Sequence, residues 1–204
     1  MPRKIDSEQR TAEIAKAALR VLERDGLPGL SVRGVAAEAG IAAASLRRAF
    51  TTQHALREYC LQLIEDRVRA RINALELTGR ALVDELLRQL LPLDVERRLE
   101  LVAQVQLGVL SLTDSGLRAA ATRLSAAVDR ACEVAIRILK EEGHFHAARD
   151  PAYEAQRLRA LLDGIAMHGL WNGELPESDP MLDMLGRHLD ELSGEAKTDT
   201  QRAW

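Results

Sequence analysis

The sequence predicts an all-α fold, and three observations support that prediction. Thirteen glycines and six prolines are few breakers for 204 residues. Aromatic residues make up only 3% of the chain, whereas strands favour aromatic and β-branched residues. Apolar residues also recur at helical spacing, as they do from Leu56 through Cys60 and Ile64 to Val68. We therefore expect about nine helices and no sheet.

Cap and breaker residues set the expected helix boundaries. The first helix begins after Ser7 and ends at Asp25-Gly26, and Leu27–Leu30 is a turn. Seven further boundaries follow from Ser31, Gly40, Thr52, Pro92, Asp94, Gly143 and Pro151. They predict helices near 32–39, 42–49, 52–75, 79–91, 94–112, 115–143, 151–172 and 180–193.

Charge is distributed unevenly along the chain. Residues 1–58 hold ten Lys and Arg against seven acids, a net charge of +3, while the whole chain carries −3. A basic N-terminal segment on an acidic body is typical of a protein that binds nucleic acid at one end. The N-terminus has no apolar stretch for a signal peptide, and no uncharged apolar run is long enough to span a membrane. We expect a cytoplasmic chain with no membrane contact, in which Cys60 and Cys132 are buried hydrophobic residues.

The segment from Leu30 to Leu56 carries the clearest functional signal. Two short helices are separated by a tight turn at Gly40-Ile41, and small residues allow the helices to approach closely. This pattern predicts a helix-turn-helix motif whose second helix enters a DNA major groove. The alternative is an ordinary helical hairpin with exposed arginines.

The same segment resembles the TetR family of bacterial transcriptional regulators. The matching positions are Leu30-Ser31, Val35-Ala36, Ala39-Gly40-Ile41, Ser45-Leu46, Phe50, Thr52 and Leu56. Further on, Leu91–Asp94 with Glu96–Arg98, and Leu161–His168, resemble a BetI-like C-terminal domain. The resemblance implies a DNA-binding domain at 1–50, a ligand-binding and dimerisation domain at 51–194 that forms an antiparallel helical bundle, and a polar tail at 195–204.

The expected DNA contacts are Arg33, Ala43, Ala44, Ser45, Arg47, Arg48, Thr52 and Gln53. Arg33 begins the bracing helix and is placed to read guanine, as the family equivalent does. The family usually has Tyr where this chain has Arg47, and Lys where it has Gln53. Arginine can replace a phosphate-binding Tyr with a charged contact, whereas Gln53 keeps hydrogen bonding but loses charge. A DNA-binding domain that has lost its function is the alternative.

The body is expected to bind a small molecule and to form a homodimer. Gln104, Leu107 and Gly108 are the candidate ligand contacts, because uncharged polar groups interrupt an apolar helix there. The alternative is that these glutamines face solvent or a neighbouring helix. No aromatic cage is apparent, which disfavours a quaternary ammonium ligand. The resemblance implies dimer contacts on the helix with Leu158, Leu162, Ile165 and Trp171.

No residues suggest catalysis, a metal site or a cofactor. The pair His144 and His146 at a helix end more often complements the helix dipole than binds a metal. We therefore expect a homodimeric, ligand-responsive repressor that binds a palindromic or pseudo-palindromic operator. A small molecule that displaces the 52–75 helix releases it by changing half-site spacing. The alternatives are a small-molecule-binding helical dimer that no longer binds DNA, and an all-α enzyme.

Overall fold

The computed structural model describes residues 3–171 and 178–194, and these ranges contain nine α-helices and no strand. The helices are α1 (Arg3–Gly29), α2 (Val32–Glu38), α3 (Ala43–Ala49), α4 (Gln53–Asn73), α5 (Gly79–Arg88), α6 (Val95–Ser111), α7 (Arg118–Glu141), α8 (Pro151–Trp171) and α9 (Ser178–Leu192). A 3₁₀ turn at Ser115–Leu117 precedes α7. The all-α prediction is confirmed. No described helix is long and apolar enough to cross a membrane.

Side-chain caps begin many of the helices where the sequence predicts them. Oxygen atoms of Ser31, Thr52, Asp94, Asp114 and Asp150 each accept a hydrogen bond from a backbone N–H two or three residues further along. Each bond satisfies a donor that the helix itself leaves without a partner. The expected stop at 172–173 and the polar tail at 195–204 lie outside the described residues.

Four boundaries differ from the prediction. Helix α1 begins at Arg3, ahead of the expected start after Ser7. Helix α1 is interrupted at Gly26, as predicted, but a short helical segment continues to Gly29 where a simple turn was expected. The buried side chain of Leu27 favours that extra segment. Helix α5 ends at Arg88 instead of near Leu91. Helix α9 begins at Ser178 instead of at Pro180. Pro180 fits in the first turn of the helix, because a proline there needs no hydrogen-bond partner for its nitrogen.

The chain divides into two compact units. Unit 1 comprises the residues up to Arg71 together with Leu99–Leu124, and unit 2 comprises Ile72–Arg98 and the chain from Ser125 onward. The predicted boundary at 50/51 concerns function and stays a prediction. In packing, α4 and most of α6 belong with the N-terminal helices.

One apolar core holds unit 1 together. It takes buried side chains from every helix of the unit, including Leu22 of α1, Val35 of α2, Leu46 of α3, Leu56 of α4 and Leu107 of α6. Cys60 lies in the same core, and burial raises the pKa of its thiol to about 12. A thiol that stays protonated is a poor nucleophile, which agrees with its predicted packing role.

Ion pairs connect α4 to α6 and α7 within unit 1. Arg71 near the end of α4 makes a two-point contact with Glu100 of α6, at 2.8 and 2.6 Å between nitrogen and oxygen atoms. Arg123 of α7 binds both Glu58 and Glu65 of α4, at 2.7 and 3.1 Å. Paired contacts of this kind fix direction as well as distance. Helix α4 is thereby attached at several points along its length.

The predicted dimer contacts on α8 differ in exposure. Leu158, Leu162 and Ile165 are buried inside their own chain in unit 2, and their role as dimer contacts stays a prediction. Helical periodicity identifies an apolar face but not whether that face packs within the chain or against another chain. Trp171, by contrast, is 72% exposed.

Unit 2 also buries a titratable group. His188 of α9 is only 8% exposed, and its Nε2 atom has no hydrogen-bond partner among the described residues. Burial lowers the pKa of this imidazole below its ordinary value of 6.5. The positive charge of Arg157 lowers it further, while the carboxylate of Glu154 opposes both effects. Burial and the charge of Arg157 therefore favour the neutral imidazole of His188.

Replacing Ser31 should weaken the start of α2. Ser31→Ala removes the hydroxyl that accepts from Gly34 N at 3.1 Å, and loss of such a cap costs about 0.5–2 kcal/mol. We expect that decrease in the free energy of unfolding in urea titrations. Ser31→Thr keeps the hydroxyl and should remain close to the wild type. Equal losses in both variants would contradict a capping role.

Acid should destabilise the protein through His188. A group whose pKa is lowered on folding leaves the unfolded chain with more bound protons near and below pH 6.5. Its contribution to stability is present above that pH and is lost as the pH falls through it. We expect His188→Leu to lose less unfolding free energy than the wild type between about pH 7.5 and pH 5. The exposed His168→Leu should keep the wild-type slope, and an equally steep loss in His188→Leu would disprove the assignment.

Candidate nucleic-acid interface

Helix α2 presents one face to the core and the other to solvent. Val35 and Ala36 are buried, whereas Arg33 is exposed. The N-cap Ser31 fixes where the helix begins, and its seven residues make two turns. The cap and the two buried side chains therefore determine the direction in which Arg33 leaves the surface.

The turn between α2 and α3 depends on glycine. Gly40 has φ = 65°, a region that residues with a side chain rarely adopt. The following residue, Ile41, donates its N–H to Ala36 O at 2.9 Å and closes the turn. Leu46 then fixes α3 on the core, and the ring of Phe50 lies 5.0 Å from that of Tyr59 of α4. The segment is a helix-turn-helix, as its sequence predicts.

An open groove of about 420 Å³ lies where α2, the end of α3 and the start of α4 meet. It is lined by Ser31, Val32, Arg33, Arg47, Phe50, Thr51, Thr52 and Gln53. Four of the eight predicted DNA contacts, Arg33, Arg47, Thr52 and Gln53, are thus brought together. Two guanidinium groups beside hydroxyl groups can bind an anionic oxygen such as a phosphate oxygen.

The other four predicted contacts lie on α3 outside the lining of this groove. Ala44 and Arg48 are exposed, and Ala43 and Ser45 are half-buried. The small side chains keep the helix slim, which a helix in a major groove requires. Their predicted roles as base contacts stay predictions.

Gln53 makes a hydrogen bond that its sequence position does not reveal. Its Nε2 donates to the backbone carbonyl of Leu30 at 3.0 Å. The side chain therefore ties the start of α4 to the segment before α2, in addition to lining the groove. Nothing in the local sequence indicates a bond between residues 23 positions apart.

Two of the basic residues of the N-terminal segment are used in folding. Arg20 and Arg24 of α1 donate to the carboxylate of Glu38 at 2.6 and 3.0 Å. These bonds hold the pKa of Glu38 below its ordinary value, so the carboxylate stays charged and fixes the end of α2 on α1. The excess charge of the segment therefore does not all serve the interface.

The predicted ligand contacts on α6 differ in exposure. Leu107 is 1% exposed and belongs to the core of unit 1, while the neighbouring Gly108 is exposed and Gln104 is half-buried. Consecutive helical residues point about 100° apart, which separates Leu107 from Gly108. Gln106 faces a neighbouring helix, since its Oε1 accepts from Leu27 N of α1 at 2.7 Å. The ligand-binding role of the three residues stays a prediction.

Family models cover most of the chain. Residues 14–60 match the model of bacterial regulatory proteins of the tetR family, and residues 79–194 match the C-terminal domain of BetI-type transcriptional repressors. The first match contains the whole helix-turn-helix. The second spans more than half of the chain and includes α5 through α9.

Individual proteins agree with these models. The HTH-type transcriptional regulator PksA of Bacillus subtilis (strain 168) is 28% identical over 213 residues, which cover 99% of this chain and 98% of that protein. A TetR transcription regulator from Haloarcula marismortui has the same fold, with a TM-score of 0.78 at 20% identity over 91% of this chain and 98% of its own. The multidrug binding protein EbrR complexed with ethidium is 26% identical, with a TM-score of 0.61 over 92% and 99% of the two chains. The chain therefore belongs to the TetR family of transcriptional regulators and carries a BetI-type C-terminal domain.

Proposed function

We propose that this regulator is a homodimeric repressor that binds operator DNA in the cytoplasm and is released by a small molecule. The observation that carries the proposal is the groove that gathers Arg33 and Arg47 beside the start of α4 on a helix-turn-helix. An intact motif with two arginines on one groove favours DNA binding over the alternative of a DNA-binding domain that has lost its function.

The groove residues divide the work of recognition by their chemistry. Arg33 makes a two-point contact with guanine O6 and N7, the commonest specific arginine contact in the major groove. Arg47 and Thr52 bind phosphate oxygens and set the position of the motif on the duplex. Backbone N–H groups at the start of α4 add to the phosphate site, because a helix N-terminus attracts anions. Gln53 supports this arrangement through Leu30.

The outward face of α8 supplies the dimer contact. Tyr153, Ala160, Gly164 and Trp171 lie on that face and are exposed. A Cβ added at Gly164 would meet no atom of its own chain within 4 Å. Small residues in the middle of a helix allow a second helix to approach closely, and the aromatic residues at both ends add apolar area. Two DNA-binding domains held in this way read half-sites about 34–36 Å apart in a palindromic operator.

A small-molecule effector is supported by the family and by one relative. EbrR is described as a multidrug binding protein, and its structure holds ethidium. In this chain Gln104 of α6 is half-buried and uncharged, a type of group that fixes a ligand in an apolar site. The family is one of regulators, and no role for the protein as an enzyme is proposed.

Loss of each groove arginine should have its own signature. Arg33→Ala should weaken binding to a selected operator by about 1–3 kcal/mol and relax its base preference at one position. Arg47→Ala should weaken binding to all sequences and lower the slope of log affinity against log salt by about one. Fluorescence anisotropy over a salt series measures both effects. Arg137→Ala, which removes an exposed arginine of α7, is the charge-matched control.

If neither groove variant differed from Arg137→Ala, the groove would not be the DNA-binding surface. The alternative, a dimer that binds only a small molecule, would then be preferred.

Blocking the outward face of α8 should separate the subunits. Gly164→Glu places a charged side chain where the protomer leaves open space, so folding should be unaffected while association weakens by at least about tenfold. Analytical ultracentrifugation measures association, and circular dichroism confirms helix content. Gly108→Glu introduces the same side chain at another exposed helical glycine and should remain dimeric. A Gly164→Glu variant that dimerises as the wild type does would rule out this face.

A further inference from the structure

Side chains of other helices bind the backbone of the connection between α1 and α2, Gly26–Leu30. Gly26 has φ = 69° and breaks α1, so the next residue, Leu27, begins a new helical segment. A residue in that position has no carbonyl of its own helix to bind. Leu27 is also completely buried, which removes water as a partner. Its N–H instead donates to Oε1 of Gln106, at 2.7 Å.

The carbonyl groups of the same connection are bound from α4. Arg57 donates from Nε to Leu27 O at 3.2 Å and from Nη2 to Pro28 O at 3.3 Å. Gln53 donates to Leu30 O at 3.0 Å. The side chain of Arg57 is only 12% exposed, and its bond to Leu27 O and the Gln53 bond are partly buried, while its bond to Pro28 O is exposed. Three side chains from two helices therefore fix one short backbone segment.

The fit of Gln106 to this segment is close. A Cβ at Gly26 would lie 2.7 Å from Nε2 and 2.9 Å from Oε1 of Gln106. The amide thus occupies the space that any side chain at position 26 would need. The positive φ favours glycine there, and the missing side chain leaves room for the Gln106 amide at the break in α1.

The connection leads directly to a DNA contact. Leu30 is followed by the cap Ser31 and then, two residues later, by Arg33. Helix α2 is only seven residues long and has little stability of its own. A shift of the connection therefore moves the cap and the origin of the Arg33 side chain together.

We propose that Gln106 is a positioning residue for DNA recognition. By accepting from Leu27 N–H it fixes the α1–α2 connection to α6, and so sets where Arg33 meets a base pair. Gln106 itself touches no DNA. The inference rests on the proposed function of the groove and extends it to regulation, since a movement of α6 reaches Arg33 through this bond.

A double-mutant cycle tests whether Gln106 acts through Arg33. The probe is a duplex selected by the wild-type full-length protein from a random DNA library. Gln106→Met has similar size but no strong acceptor, and it should weaken binding by about tenfold, the effect expected when a buried donor loses its partner. In the Arg33→Ala background, Gln106→Met should weaken binding to the probe by less than about twofold. The salt slope should not change, because no phosphate contact is lost.

Gln106→Glu is the matched control, because a carboxylate oxygen can still accept from Leu27 N–H. It should bind the probe within about threefold of the wild type. A general loss of stability would instead give additive effects with Arg33→Ala, and no rescue by glutamate. Either of those results would overturn the proposal.

Amide hydrogen exchange of the DNA-free protein gives an independent measurement. Gln106→Met should speed exchange at Leu27 by about tenfold or more and leave α7 amides unchanged. Unchanged exchange at Leu27 would overturn the proposal. If the wild type selects no DNA site, the proposed function is wrong. Faster exchange at Leu27 in Gln106→Met would then show that Gln106 fixes Leu27, without a role in DNA recognition.

Discussion

The apolar core of unit 1 is the constraint on which the helix-turn-helix and its groove depend. Helices α2 and α3 have seven residues each, far below the length at which a helix is stable in water by itself. They exist because Val35 and Leu46 are buried against α1, α4 and α6. The direction of every exposed side chain on the two helices is therefore a property of the whole unit. Leu107 of α6 belongs to the same core as Val35 and Leu46.

Electrostatic contacts add direction to this packing. The contact between Arg71 and Glu100 joins the far end of α4 to α6. Near the start of α4, His54 lies 2.8 Å from Asp114 in the connection between α6 and α7. That second pair is exposed and contributes little to stability. It does place the start of α4 next to the connection between α6 and α7. Helix α4 thus lines the groove with its first residue and has ion-pair contacts near both of its ends.

Local signals predicted most of the fold, and long-range contacts account for what they missed. The caps Ser31 and Asp150 and the breaker Gly40 act over a few residues, so the sequence revealed them. Leu158 has the right helical spacing, yet periodicity does not say that its partner is in the same chain. The bond from Gln106 to Leu27 spans 79 residues and leaves no local pattern. The groove was predictable in part, because Arg33 and Arg47 belong to a known motif, whereas the structural bond of Gln53 was not.

The three side-chain bonds to the α1–α2 connection have a consequence for how such proteins diversify. Gln106, Arg57 and Gln53 all bind main-chain atoms, and a main chain offers the same N–H and carbonyl groups whatever its side chains are. Side chains on α2 and α3 can therefore be substituted while these bonds to the rest of unit 1 are kept. Exchanging α2 and α3 as one block, with one junction within Gly26–Leu30 and a second between Phe50 and Gln53, would therefore keep all three of these bonds.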